Sequence, residues 1–256
     1  MRLSIVIPVL NDAPALASLL ADLASALNDR NIEVIVVDGG SQDALDAVVA
    51  SQPVRLVKSE RGRGLQLATG VEASRGRVIW LLHADSRVPA EALELVLTQA
   101  SGWGRLRLQF EPDFPGMRMV ALMMHWRSCL TGICTGDQGI WAERALLDRV
   151  GGVPVQPLME DVELSARLRR LMWPKVLPVT LTTSSRRWHE GGLVVTILLM
   201  SWFRLRYFLG TPAEKLARAY VDIRADIRDD RAAKTPLTKQ PESVQSTNDR
   251  GLRSKP

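Results

Sequence analysis

Most of the side chains able to do chemistry in this chain fall in a few short clusters: Pro8 with Asn11, Asp38 before Gly39-Gly40-Ser41, His83-Ala84-Asp85, and Glu160-Asp161. Ionised carboxylates are acceptor-only groups, suited to ribose hydroxyls, base N–H groups, divalent cations or an abstracted proton. Asp38 closes the apolar run Val34–Val37, and Asp85 follows closely on Val78–Leu82. Either acid alone reads as a cap for the turn after a strand. Two acids delivered to one sheet edge point instead to a nucleotide or metal site, because open α/β sheets bind ligands beyond the carboxyl ends of their strands. Arg61-Gly62-Arg63-Gly64 reads by itself as a basic loop at a helix start. Glu160 and Asp161 begin an amphipathic stretch, where acids also answer a helix dipole.

These clusters need elements that hold them at one edge. Leu3–Pro8, Ile32–Val37, Val54–Val57 and Arg77–Leu82 read as strands, the longer apolar runs buried on both faces, with helical stretches between them. That alternation predicts an α/β fold with a mostly parallel, mixed sheet flanked by helices. A helix from Pro89 to about Ala100 follows, then the alternating run Arg105–Phe110, expected as a strand at the mixed edge of the sheet. Phe114–Thr131 has helical spacing, Gly136–Trp141 is expected to return as a strand, and Ala142–Val150 and Met159–Met172 as helices. Lys175–Thr183 reads as the last strand.

The C-terminal third differs. Leu193–Phe203 is eleven residues without a charge, about half of the ~20 residues that span a bilayer. Flanked by Arg186, Arg187, Arg204 and Arg206, it is expected either to pack on protein or to lie in a membrane interface. Pro212–Arg228 reads as a further helix, and 229–256, rich in Lys, Ser, Gln and Pro, as a disordered tail. The division expected is therefore 1–190, 191–228 and 229–256.

With 256 residues and 46% hydrophobic side chains, the chain can bury a full core. A net charge of +5 favours anionic partners, but no aromatic-basic platform supports nucleic acid. Cys129 and Cys134 form neither a zinc pattern nor a disulfide framework and read as packing residues in a reducing compartment. The short N-terminal apolar run, interrupted by Pro8, is strand-like rather than a secretory signal.

Taken in order, Ser4–Pro8 with Asn11, Val36–Ser41 with Asp43, Leu82–Asp85 and Leu158–Asp161 resemble the inverting family 2 glycosyltransferases of the GT-A fold. Over roughly residues 3–190 the chain is similar to a small bacterial branch with His-Ala-Asp in place of Asp-x-Asp and with a Gly-Asp-Gln segment, here 136–138. The resemblance implies that Pro8, Asn11, Asp38 and Ala84 border the nucleoside and that Arg61 and Arg63 meet the diphosphate. It makes Asp85 a ligand for Mn²⁺ or Mg²⁺, with His83 beside it in place of the usual first acid. A neutral imidazole suits Mn²⁺ better than Mg²⁺; His189 is a more distant candidate. Of the acidic pair Glu160-Asp161, the aspartate is the implied general base. Asp137 and Gln138 are expected near the acceptor or sugar, and Arg186 and Arg187 near the departing diphosphate.

The function implied is metal-assisted transfer of a sugar, with inversion, from a nucleotide-sugar donor to a hydroxyl of a lipid, glycan or small-molecule acceptor. The expected location is cytoplasmic, with peripheral contact at the inner face of the cytoplasmic membrane, and a homodimer stays open. A sugar-nucleotide nucleotidyltransferase would call for a glycine-rich phosphate loop after the first strand, and 8–13 contain no glycine. A dehydrogenase would need Gly-x-Gly-x-x-Gly there. A non-catalytic, membrane-associated partner that keeps the fold is a further alternative, against which the acids at 38, 85 and 161 argue.

Overall fold

The computed structural model describes residues 2–98 and 101–234, leaving the side chains of Arg187, Glu190 and residues 224–234 outside the described set. In chain order the elements are β1 (Leu3–Val9), α1 (Ala13–Asp22), α2 (Ala24–Leu27), β2 (Ile32–Asp38), α3 (Leu45–Ala50), β3 (Arg55–Lys58), α4 (Arg63–Ala73), β4 (Val78–Leu81), β5 (Ser86–Arg87) and α5 (Ala90–Thr98). They continue with β6 (Trp103–Glu111), α6 (Met117–Thr131), a 3₁₀ turn (Gly136–Gln138), β7 (Trp141–Glu143), α7 (Arg144–Arg149), α8 (Glu160–Leu168), β8 (Lys175–Ser184), α9 (Arg186–Gly191), α10 (Leu193–Phe208) and α11 (Ala213–Lys234).

One sheet runs β3-β2-β1-β4-β7-β6-β8-β5. Its first four strands are parallel, β7 is antiparallel to both β4 and β6, and β8 lies parallel to β6. The unbroken apolar runs follow from this arrangement, because both faces of the parallel half are covered. Ile5 and Ile7 point to a layer holding Leu16, Leu19 and Leu20 of α1 and Val96 of α5. Val6, Ile35 and Ile79 point to the other, against Leu67 and Val71 of α4 and Leu164 and Leu168 of α8. Each such fully buried side chain contributes roughly 1.5–3 kcal/mol. Helix α4 approaches so closely that a Cβ at Gly70 would strike Val6 and come within 2.8 Å of Val37.

Register decides where the strand ends lie. Val9 pairs with Asp38, whereas β4 stops level with Val6. The chain then continues as Leu82–Asp85, its first amide donating to Val6 O at 3.0 Å. The three segments thereby open onto the same edge.

Three sequence expectations are corrected. Gly136–Trp141 is not a strand: a 3₁₀ turn capped reciprocally by Thr135 and Gln138 fills it, and β7 begins only at Trp141. Strand β6 lies inside the sheet rather than at its edge, the edges being β3 and β5; alternation of polar and apolar residues cannot distinguish an interior strand with one thinly covered face from an edge. The last helix continues through Lys234, so residues 229–234 are helical, while 235–256 lie outside the described residues. Among the described residues no helix is long and apolar enough to cross a membrane.

Candidate active site

A cleft of about 730 Å³ opens at the carboxyl edge of the parallel strands. Its walls include Pro8, Arg61, Arg63, His83, Ala84, Asp85, Asp137, Asp161 and Arg186, so one hollow collects nine of the residues singled out by sequence. A second groove, about 940 Å³, lies between β6 and α6 and is lined by Arg107, Glu111, Arg118 and His125 among others; none of the sequence-predicted site residues reaches it.

Asp161 stands in the first turn of α8. Met159, just before it, has φ 65°, a left-handed conformation costing a residue with a side chain roughly 1–2 kcal/mol. At this bend Glu160 turns into the core, 2% exposed, while Asp161 lines the cleft. The Asp161 carboxylate accepts Gly136 N–H at Oδ2 (2.9 Å) and Val162 N–H at Oδ1 (2.8 Å). Each oxygen retains a further lone pair for a proton or hydroxyl. Glu160 instead holds Arg63 through an ion pair with its Nε. Burial works against the Arg63 charge, but Glu160 and Asp161 outweigh it and raise its pKa. Glu160 is therefore a clamp that keeps Arg63 in the wall.

His83 Nδ1 lies 3.1 Å from Asp137 Oδ1, and a Cβ at Gly136 would collide with Nε2. Both ring nitrogens thus face the 136–137 turn, and glycine at 136 is what lets that turn close over the imidazole. In this arrangement His83 orients Asp137 instead of turning toward Asp85. The Asp85 carboxylate lines the cleft and has no hydrogen-bond or ion-pair partner among the described residues. No group of three His, Cys, Asp or Glu side chains converges among the described residues. Mg²⁺ and Mn²⁺ are commonly held by one or two carboxylates together with substrate phosphates and waters, and an unpartnered Asp85 fits that mode.

Other expected residues are built into the frame. Asp38 accepts Gly40 N–H and Ser41 N–H at Oδ1 (3.1 and 2.8 Å), forming an Asx turn. Asn11, at φ 53°, receives Gln42 N–H on its side chain at 2.8 Å and donates its own amide to Ser41 Oγ at 3.0 Å. Asp38 and Asn11 thus join the β1 and β2 loops next to the Pro8–Leu10 part of the cleft wall. Gln138, fully buried, accepts Thr135 N–H at 3.1 Å and donates to Ser128 Oγ at 3.3 Å. His189 packs edge-on to Phe114, ring centroids 5.9 Å apart, away from the cleft wall. Arg186 donates weakly to Asp12 at 3.4 Å across the cleft mouth; the Arg187 side chain lies outside the described residues.

The structure also adds residues that sequence reading missed. Gln66 donates to both Val9 O and Val37 O (2.8 and 2.9 Å), pinning the two strand ends. Thr135, Thr196, Met200, Arg204 and Tyr220 complete the far wall, so α10 and α11 form one side of the cleft. Arg204 and Arg206 close an apolar helical run and were read from the sequence only as flanking charges; the structure puts Arg204 on the cleft wall.

Residues 4–102 match the family model described as glycosyl transferase family 2. Over 99 residues the chain is 32% identical to a dolichyl-phosphate beta-glucosyltransferase of Dictyostelium discoideum, covering 32% of this chain and 30% of that one. It is 28% identical over 99 residues to a dolichol-phosphate mannosyltransferase of Pyrococcus furiosus, covering 36% of this chain and 28% of that one. The matches thus span less than a third of these two relatives. Among solved structures, TarS of S. aureus superposes with TM-score 0.57 at 15% identity, covering 78% of this chain and 66% of that one. The mannosyltransferase PcManGT of Pyrobaculum calidifontis, in complex with GDP-Man and Mn²⁺, gives 0.55 at 21%, covering 92% and 76%. Over residues 4–102, then, the chain carries the sequence pattern of glycosyl transferase family 2, and its sheet has the GT-A architecture of glycosyltransferases.

Proposed function

We propose that the protein is an inverting, metal-assisted glycosyltransferase acting on a nucleoside diphosphate sugar. The observation that carries this reading is the single cleft shared by an oriented Asp161 and an unpartnered Asp85. The donor lies along the β1 and α4 side, its nucleoside near Pro8 and Ala84 and its diphosphate near Arg61, Arg186 and Asp85. A divalent ion held by Asp85 and the diphosphate would supply charge neutralisation for the leaving group. The relatives named as glucosyl- and mannosyltransferases, and the neighbour holding GDP-Man and Mn²⁺, support that choice of donor and metal.

Asp161 takes the proton of the acceptor hydroxyl as that oxygen bonds to the anomeric carbon, while the bond from this carbon to the diphosphate breaks on the opposite face. The Gly136 amide holds the carboxylate in place, and Asp137, oriented by His83, borders the sugar or acceptor. Asp161→Asn keeps one acceptor oxygen, enough for the hydrogen bond from Gly136 at the expense of that from Val162, and removes the base. We expect it to keep nucleotide-sugar affinity and to lose transfer by about 10²–10⁴-fold, measured as donor binding by calorimetry and nucleoside diphosphate release. Loss of donor binding together with loss of transfer would assign Asp161 to the frame instead.

The reading includes peripheral contact with an anionic lipid surface. Leu193 and Ile197 of α10 pack against Met117, Val120 and Met124 of α6. Turned outward on these adjoining helices are Met119, Leu122, Met123, Trp126 and Leu130, with Val194, Leu198, Trp202 and Leu205. Arg206 sits 5.5 Å over the Trp202 ring, and the net charge is +5. An amphipathic tryptophan beside cationic side chains matches the boundary between lipid headgroups and acyl chains.

A further inference from the structure

The groove between β6 and α6 takes no part in the transfer chemistry. It encloses about 940 Å³, within the range of sites that hold small ligands. Strand register makes its floor polar. Arg107 pairs with Thr180 and Gln109 with Thr182 across β6 and β8, so these four side chains share one face of the ladder. Glu111 continues the row on β6, and Arg107, Gln109 and Glu111 are all exposed. Residues two apart on a strand are about 6.6–6.8 Å from each other, so the row from Arg107 to Glu111 runs for about 13 Å. Gln109 donates to Thr182 Oγ1 at 2.7 Å. The side chains of Arg107 and Glu111 have no hydrogen-bond or ion-pair partner among the described residues. Opposite the floor, α6 offers an apolar wall at Ala121 and Leu122.

The charges in this groove cancel. Arg118 and Asp113 pair with each other at its rim, 2.8 Å apart, and Arg107 is offset by Glu111. Burial, with Arg105 and Arg107 nearby, lowers the pKa of His125, so its imidazole adds no charge at neutral pH. A phosphate or an anionic lipid headgroup therefore finds no excess of positive charge here. The floor is a sheet face, so side chains meet an occupant where strand addition by a peptide would use backbone groups. A neutral polyhydroxylated chain fits this surface. Each of its hydroxyls both donates and accepts, and the row answers with donors at Arg107, acceptors at Glu111 and both at Gln109, Thr180 and Thr182. The C–H faces of sugar rings match Ala121 and Leu122. We propose that the groove is a second, non-catalytic site that binds a neutral oligosaccharide. This goes beyond the transferase reading and stands without it. Phe110 borders both hollows, so a glycan held here lies beside the cleft.

The test uses the full chain. Maltohexaose, cellohexaose, laminarihexaose and mannohexaose, each beside its disaccharide, are titrated by calorimetry, with UDP and GDP plus Mn²⁺ as cleft probes. At least one hexasaccharide is expected to bind saturably, and more tightly than its disaccharide, because the longer chain meets more of the row. Arg107→Ala combined with Gln109→Ala is expected to weaken that binding about tenfold, as the loss of two hydrogen-bonding side chains implies. Ala121→Trp, which fills the groove and leaves the floor intact, is expected to weaken it at least as much. Nucleoside diphosphate affinity is expected to stay unchanged in both variants. Failure of every hexasaccharide to bind wild type would overturn the proposal. Hexasaccharide binding that survives both sets of substitutions, or that UDP competes away, would overturn it by moving the glycan to the cleft. Binding lost in both variants, in a wild-type protein that takes neither UDP nor GDP, would leave the glycan site standing and remove the transferase reading.

Discussion

At the scale of single residues, the cleft separates acids that are committed from acids that are available. Glu160 is spent on an ion pair with Arg63, Asp38 has one oxygen, Oδ1, in an Asx turn, and Asp161 accepts one backbone amide at each oxygen. Asp85 faces the cleft with no hydrogen-bond or ion-pair partner among the described residues. Asp85→Ala is therefore expected to fold normally and to abolish the Mn²⁺-dependent increase in nucleoside diphosphate affinity, read by calorimetry with and without the ion; an unchanged metal dependence would remove Asp85 from that role. The sequence made Asp85 and Asp161 visible because each lies at the end of a strongly patterned element. It could not show that His83 turns both ring nitrogens toward the 136–137 turn, since that depends on Gly136 approaching from 53 residues further on. The thiol of Cys134, which burial pushes up to about 12, agrees with its reading as a packing residue.

At the scale of elements, the frame is tied by polar contacts at the ends of strands and helices. Asp22, the last residue of α1, accepts Arg87 Nε and NH2 (2.6 and 2.7 Å) and Val88 N–H (3.0 Å), joining α1 to β5. The hydrogen bond from Arg87 holds the Asp22 carboxyl below its usual value near 3.8, against the opposing effect of burial. A carboxylate whose pKa is lowered by folding stabilises the fold above its unfolded pKa and loses that contribution as the pH falls through the folded one. Arg87 is 54% exposed, so the pair is worth only about 0.5–1 kcal/mol. Asp22→Asn is expected to lower stability by that amount at pH 7 and to differ progressively less from wild type as the pH drops below about 4, measured by urea unfolding. The βα alternation of the first 98 residues was legible because double burial writes continuous apolar runs into β1, β2 and β4. The 136–141 segment was misread because the Thr135–Gln138 capping contacts leave no periodic trace.

At the scale of the whole molecule, α6 and α10 join two roles, one wall of the cleft and one outward apolar surface. Flotation with anionic vesicles at low salt is expected to carry the wild-type chain, and the pair Leu198→Glu with Trp202→Glu to reduce the floated fraction by at least half without changing nucleoside diphosphate affinity. Equal flotation of the variant would place the contact elsewhere. By itself the sequence determined the α/β class, the strands that lead to Asp38 and Asp85, and the absence of a run long enough to span a bilayer, because burial periodicity and strand-end chemistry are local properties. Tertiary structure alone decided that Glu160 is spent on Arg63, that α10 and α11 form one wall of the cleft, and that Arg204 lines the same hollow as Asp161. Those outcomes depend on contacts between segments such as Gly136 with Asp161, 25 residues apart, and Arg63 with Glu160, 97 apart, where pairing and desolvation arise from packing and leave no pattern along the chain.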